Sequence, residues 1–210
     1  MTRRDRLHED AKGGVTLSNR EDRRQRAGSR AQLLQRPRAA TIRDVDAIAA
    51  LHADSWRRNY RGAYLDEFLD GDVFADRLAV WTERLTQLGS NTHTIVAELD
   101  GTVVGFAHTI LDRDPTLGAL LENLHVTHEL KRHGVGTRLT AESARAVIQR
   151  RPSTGLYLTV LEQNAAAQAF YEARGGISVG PKLAGPFPGG GEAMVITYAW
   201  PDPSRLIDET

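Results

Sequence analysis

Cysteine is absent from the chain, which removes a disulfide framework, a thiolate zinc site and any mechanism that parks an acyl group on a protein sulfur. Such a composition suits a reducing compartment. Long apolar runs are absent too. None approaches the roughly 20 residues a membrane-crossing helix needs, and the start lacks the apolar stretch of a secretory signal. A cytoplasmic protein with no membrane partner is expected. Net charge is also missing: Lys plus Arg and Asp plus Glu number 27 each. No global field then draws in nucleic acid, and an anion site has to be built locally. Lysine is confined to positions 12, 131 and 182, with arginine supplying the other positive charge, a bias of the kind a GC-rich bacterial genome produces.

What is present is enough for one well-packed domain: 210 residues, 40% of them hydrophobic. Residues 1–31 are polar and arginine-rich, with too few apolar side chains to offset their ordering entropy. They read as a disordered extension, with a basic arm for nucleic acid as the alternative that zero net charge opposes. The domain is expected over 32–203, with a short tail at 204–210.

Order is expected from a short strand near Leu33. After Pro37, Val45, Ile48, Leu51 and Trp56 form a helical stripe that Asp44 can cap. A second helix from Asp72 puts Phe74, Leu78, Trp81 and Leu85 on one face. The period then changes. Thr94–Leu99 and Thr102–Ile110 are β-prone runs joined by Asp100 and Gly101, a dipeptide that favours a two-residue hairpin turn. Ala119–Val126 reads as a strand, followed by a loop to Gly136, a helix to about Arg150 and a strand Leu156–Leu161. That succession is a parallel crossover unit. A helix Asn164–Arg174 ends at Gly175, Pro181–Gly191 reads as a mobile loop, and Met194–Trp200 closes the pattern as a strand.

Gly134 and Gly136 lie between a strand and a helix, where missing side chains let backbone N–H groups converge on an anion at the helix N-terminus. No Gly-Lys-Ser/Thr follows, and the three-glycine dinucleotide spacing is lacking. By itself such a pair also serves simply to close a turn.

The surroundings add to it. Lys131, Gly134 and Gly136, following the strand Glu122–Val126, resemble the Gln/Arg-x-x-Gly-x-Gly/Ala signature of the GNAT N-acetyltransferase superfamily. Asn164, Ala169, Phe170, Tyr171 and Gly175 resemble its second motif, in the right order and spacing. Trp56, Tyr60 and Gly62 resemble a pattern that some bacterial members carry at the helices walling the acceptor site. Two positions depart: Lys131 gives a point charge for the usual planar fork, and Gly176 stands where a Phe commonly packs.

The resemblance implies an α/β fold, a single GNAT-type domain with a mixed, splayed central sheet flanked by helices. It implies acetyl-CoA as cosubstrate, no metal, and a primary amine as acceptor, with a homodimer as one possible assembly. The cofactor then falls to Leu124, His125, Val126, Lys131, Arg132, His133, Gly134, Val135, Gly136, Thr137 and Asn164. Asn164 is equally suited to capping its helix.

An alkylammonium of pKa near 10.4 must lose its proton before attack, which at pH 7 costs roughly 4.6 kcal/mol. Glu122 is the candidate base, against a plain strand glutamate paired with an arginine. Tyr171 is the candidate acid for the departing thiolate, against a core tyrosine beside Phe170. His125, His128 and His133 share no register for a metal and are expected to face solvent. The resemblance puts Asp66, Asp70, Asp112 and Asp114 in segments that line the acceptor side in relatives, which leans the acceptor towards a cationic amine, with surface solvation an equal alternative. A catalytically silent acyl-CoA-binding module is the rival on the same fold.

Overall fold

The computed structural model describes residues 35–87 and 89–207. The extension at 1–31, the strand expected near Leu33 and the last residues of the tail lie outside them, and the first strand is β1, Arg38–Ala39. It is followed by helices α1 (Val45–Asn59), α2 (Asp66–Asp70) and α3 (Val73–Thr86), then strands β2 (Thr92–Leu99), β3 (Thr102–Asp114) and β4 (Gly118–Val126). Helix α4 (Val135–Arg150), β5 (Leu156–Leu161), α5 (Ala165–Glu172), β6 (Ile177–Ala184) and β7 (Ala193–Trp200) complete the order. The strands form one mixed sheet, β1-β2-β3-β4-β5-β7-β6, in which only β4 and β5 are parallel.

The β2–β3 hairpin turns at Asp100 (φ 51°) and Gly101 (φ 75°), both left-handed as a two-residue turn of this kind demands. On one face of the sheet Val135, Leu139 and Val147 of α4 bury against Ile95, Ala97, Ala107 and Leu111. On the other, Ile48 of α1 and Trp81 and Leu85 of α3 cover Val96 and Phe106. Each large side chain so buried contributes about 1.5–3 kcal/mol.

Three expectations shift. The buried stripe of α3 is Val73, Arg77, Trp81 and Leu85, and Phe74 is turned out, 37% exposed. Arg77 can hold a core position because its guanidinium is bonded to Asp76 and lies 4.1 Å from the Trp56 ring centre. Asp44 makes no cap to α1. It closes a capping box with Thr41 over the short turn Ile42–Asp44 and accepts from Arg38 at 2.8 and 2.9 Å. Finally, the first four residues of the segment expected as a loop, 181–184, belong to β6, which pairs with β7. Gly180 and Pro181 hid it. An edge strand tolerates a proline and a bulge, and β6 has its register shift between Ser178 and Gly180.

Candidate active site

Strands β4 and β5 begin as neighbours and then part. They pair only as Ala119 with Leu156 and Leu120 with Tyr157, while β5 stays paired to β7 as far as Leu161. Glycines make the closed end. Gly118 (φ 94°) lies so near the Gly155 peptide that a Cβ there would collide with its carbonyl, and Ala119 donates to that carbonyl at 2.9 Å. From Leu121 to Val126 the β5-facing edge of β4 has no strand partner, leaving backbone groups open to pair with an extended ligand.

A bulge interrupts β4 at its midpoint. Leu121 faces Thr109 and Asn123 faces His108 across β3, so Glu122 is the extra residue. Its Oε2 accepts from Arg84 Nη1 at 2.6 Å, and Arg84 also donates to Asn123 Oδ1 at 3.2 Å. Oε1 has no partner among the described residues.

Beyond the bulge, Leu124 and Val126 turn towards α4, where they pack on its cluster, and His125 turns under α1. His125 is thus buried, 7% exposed, which corrects the expectation that it faces solvent. Ser55 Oγ lies 2.8 Å from its Nδ1, and Asn59 Nδ2 donates to the same Oγ at 3.4 Å. The His52 ring packs 4.6 Å from it, with Trp81 Nε1 donating to His52 Nδ1 at 3.0 Å. His52 Nε2 therefore carries its proton, buried without a partner. Burial pushes the His125 imidazole down to about 3, and that of His52 well below the usual range.

The loop after β4 winds through His128–Leu130 and places Lys131 and Arg132 on the surface. His133 Nδ1 donates to the Lys131 carbonyl at 2.9 Å. Gly134 is left-handed (φ 82°), with open space where a Cβ would stand, and starts α4 without a side-chain cap. The first-turn N–H groups of Val135, Gly136 and Thr137 are thereby offered outward.

The second motif meets the first here. Phe170 packs over Gly136, whose Cβ position would be 3.5 Å from the ring, and Arg174 Nη2 donates to Thr137 Oγ1 at 2.6 Å. Alongside opens a cavity of about 660 Å³ lined by Gly134, Thr137, Arg36, Arg138, Arg145 and Arg174, among others. None of these arginines was picked out in the sequence, because Arg36, Arg145 and Arg174 come from separate segments that only the fold assembles.

Asn164 caps α5, accepting from the Ala167 N–H at 3.2 Å. Tyr171 is buried in that helix between Phe170, Tyr198 and Trp200, with ring centres 5.4–6.2 Å away. Its hydroxyl makes no hydrogen bond among the described residues. Burial, then the nearby Tyr60, pushes it far above the ordinary tyrosine value. The glycine at 176 is explained by Trp200: a Cβ there would lie 2.8 Å from the indole, which fills the place an aromatic side chain would take.

A third cluster borders the opening on the α1 side, joining Trp56, Tyr64, Leu69 and Val73 to Leu161 and Val195 at the far ends of β5 and β7. Tyr60 packs against it, its hydroxyl pushed up to about 12 by desolvation. Desolvation pushes the Tyr64 hydroxyl far above the ordinary tyrosine value. The aspartates expected to attract a cation are already committed. Arg61 binds both Asp66 and Asp70, Arg151 binds Asp112 at 2.6 Å, and Asp114 accepts two backbone N–H groups of its own turn at 2.8 Å. Among the described residues no helix is long and apolar enough to cross a membrane.

Residues 46–176 match the model of the Acetyltransferase (GNAT) family. The chain is 29% identical over 139 residues to the uncharacterized N-acetyltransferase YuaI of Bacillus subtilis, covering 65% of this chain and 76% of that one. It is 28% identical over 138 residues to a probable N-acetyltransferase of Mycobacterium tuberculosis, with the same coverage. The fold is similar to that of the PaiA N-acetyltransferase of Thermoplasma acidophilum, solved in complex with coenzyme A. The TM-score is 0.59 at 18% identity, over 80% of this chain and 99% of that one. With a family match over more than half its length, the chain belongs to the GNAT acetyltransferase family.

Proposed function

We propose that this protein moves an acetyl group from acetyl-CoA to a primary amine by direct attack in a ternary complex. The observation that carries the reading is the opening between β4 and β5, whose β4 edge has no strand partner, and the buried, unbonded Tyr171 hydroxyl supports it. The chain fits the cofactor. The edge from Leu121 to Val126 suits the amides of a pantetheine arm, with Leu124, His125 and Val126 in its pairing stretch. The first-turn N–H groups of Val135, Gly136 and Thr137 suit a pyrophosphate, with Lys131, Arg132 and His133 in the loop beside them. The cavity, where Arg138 and Arg174 stand beside Arg36 and Arg145 and the last two are paired with Glu142, suits the remaining phosphate-bearing end.

Bound acetyl-CoA supplies an activated acetyl thioester. Glu122 Oε1, left over by Arg84, takes the ammonium proton directly or through water, freeing the nitrogen lone pair for the carbonyl carbon. As the C–S bond breaks, Tyr171 hands its phenolic proton to the sulfur, the nitrogen of the collapsing intermediate gives up its second proton through water to restore the phenol, and the products are an amide and free CoA thiol. No cysteine exists to carry the acetyl group covalently.

Tyr171→Phe keeps the ring and deletes only the hydroxyl. With an amine that wild type acetylates, thiol release should fall by about 10²- to 10⁴-fold in kcat, while acetyl-CoA affinity by calorimetry stays within about twofold. An unchanged kcat with chemistry limiting removes Tyr171 from the mechanism. No thiol release by wild type from any amine, despite tight acetyl-CoA binding, makes the protein a silent binder.

A further inference from the structure

We infer that the loop between β6 and β7, residues 185–191, is a lid on the acceptor side of the opening, which lifts with Phe187 to admit the amine; this rests on the acetyl-transfer reading above. Helix α4, whose first turn is offered to the phosphates, packs on one face of the sheet, so the cofactor comes from there. The amine then has to arrive from the face that α1 covers.

That side is shut. Trp56 and Tyr64 are only 4% and 8% exposed. The Phe187 ring stacks on Tyr64 at 4.9 Å, Tyr64 stands 5.0 Å from Tyr60, and Tyr60 in turn neighbours Tyr171. The backbone of the loop follows its ring down: a Cβ at Gly189 would collide with the Phe68 side chain, and one at Gly190 would lie 3.3 Å from Leu65 Cδ1. An amine reaches the sheet from this side only if part of the cover moves.

The bonding says which part. The segment beneath the loop is tied to the rest of the fold, since Arg57 donates to the carbonyls of Leu69 and Gly71 at 3.2 Å each and Gln163 Nε2 donates to the Arg61 carbonyl at 2.8 Å. The loop has no such tie. Its hydrogen bonds run from Phe187 N–H to the Gly191 carbonyl at 3.0 Å and from Gly190 N–H to the Phe187 carbonyl at 2.8 Å, and among the described residues none joins it to 61–70. Lifting therefore separates apolar contacts without breaking a hydrogen bond, and the loop keeps its own turn as it moves.

The test locks the lid in the full chain. Leu65→Cys with Gly190→Cys places two thiols across the contact in a protein with no other cysteine. Oxidised, this variant should bind acetyl-CoA by calorimetry within about twofold of its reduced form, yet acetylate an amine used by wild type at least about tenfold more slowly, with the rate restored by reduction. Mass spectrometry follows the amide product. Equal rates in the two states, or a loss that lies in acetyl-CoA affinity, overturn the lid and leave acetyl transfer standing. Phe187→Ala decides independently of the cross-link: it weakens the closed state, so KM for the amine should fall at least about threefold, and an unchanged or raised KM overturns the inference. No amide from any amine, with wild type that binds acetyl-CoA, defeats the transfer reading itself, and the lid falls with it.

Discussion

Glu122 is paired with an arginine, as a plain strand glutamate would be, and it is also the bulged residue of β4 with one oxygen unbonded among the described residues. Glu122→Gln should lower kcat/KM about 10²-fold at pH 7. The deficit should shrink as pH rises towards the acceptor's own pKa, because solvent then supplies the free amine. A pH–rate profile checks this, and a deficit constant with pH would make the side chain structural.

The histidines make a separate prediction. Burial holds both His108 and His125 down to about 3 from an ordinary value of 6.5. Between those limits the unfolded chain binds more protons than the folded one. Stability is therefore complete above about pH 6.5 and declines as pH falls towards 3, by roughly 1 kcal/mol per unit for each histidine. Denaturant unfolding at pH 7 and pH 5 measures it, and equal stability at the two values would contradict the burial argument. That His125 is buried was not legible in the sequence. The bulge resets the alternation of β4, and nothing local marks where an extra residue enters.

At the scale of elements, the site is a matter of where two strands separate. Gly118 and Gly155 hold β4 and β5 together at one end, and the divergence that follows makes room for a ligand. Gly118→Ala should cost at least about 2 kcal/mol, from a left-handed φ and a backbone collision together. Gly101→Ala has an equally left-handed φ but open space around it, and should cost about 1 kcal/mol. Thermal or denaturant unfolding of the pair separates strain from collision. Equal losses would mean that the close approach is not built into the fold.

The crossover from β4 through α4 to β5 was legible because its apolar period changes cleanly and glycine marks the loop. The strand β6 was not, because every residue in it is exposed or only partly buried, so no burial pattern betrays it. Likewise Arg138 was adjacent to a recognised motif, but its gathering with Arg36, Arg145 and Arg174 around one cavity is a product of tertiary structure alone.

For the whole molecule, one sheet, opened between its only parallel pair among the described strands, brings an unpaired edge and a helix N-terminus to the same opening, where the proposed acetyl-CoA site lies. Two sequence motifs separated by a strand are joined there, through Phe170 over Gly136 and Arg174 on Thr137. Family resemblance gave the motifs, and the fold supplies their contact. It also supplies the aromatic wall, whose members come from α1, the segment after it and the β6–β7 turn.

The most direct measurement is amide hydrogen exchange with and without coenzyme A. Protection is expected to be gained along the free edge of β4, at residues 121–126, and at 134–137, with β6 unchanged. Protection confined to other strands, or none along β4 at saturating coenzyme A, would contradict it.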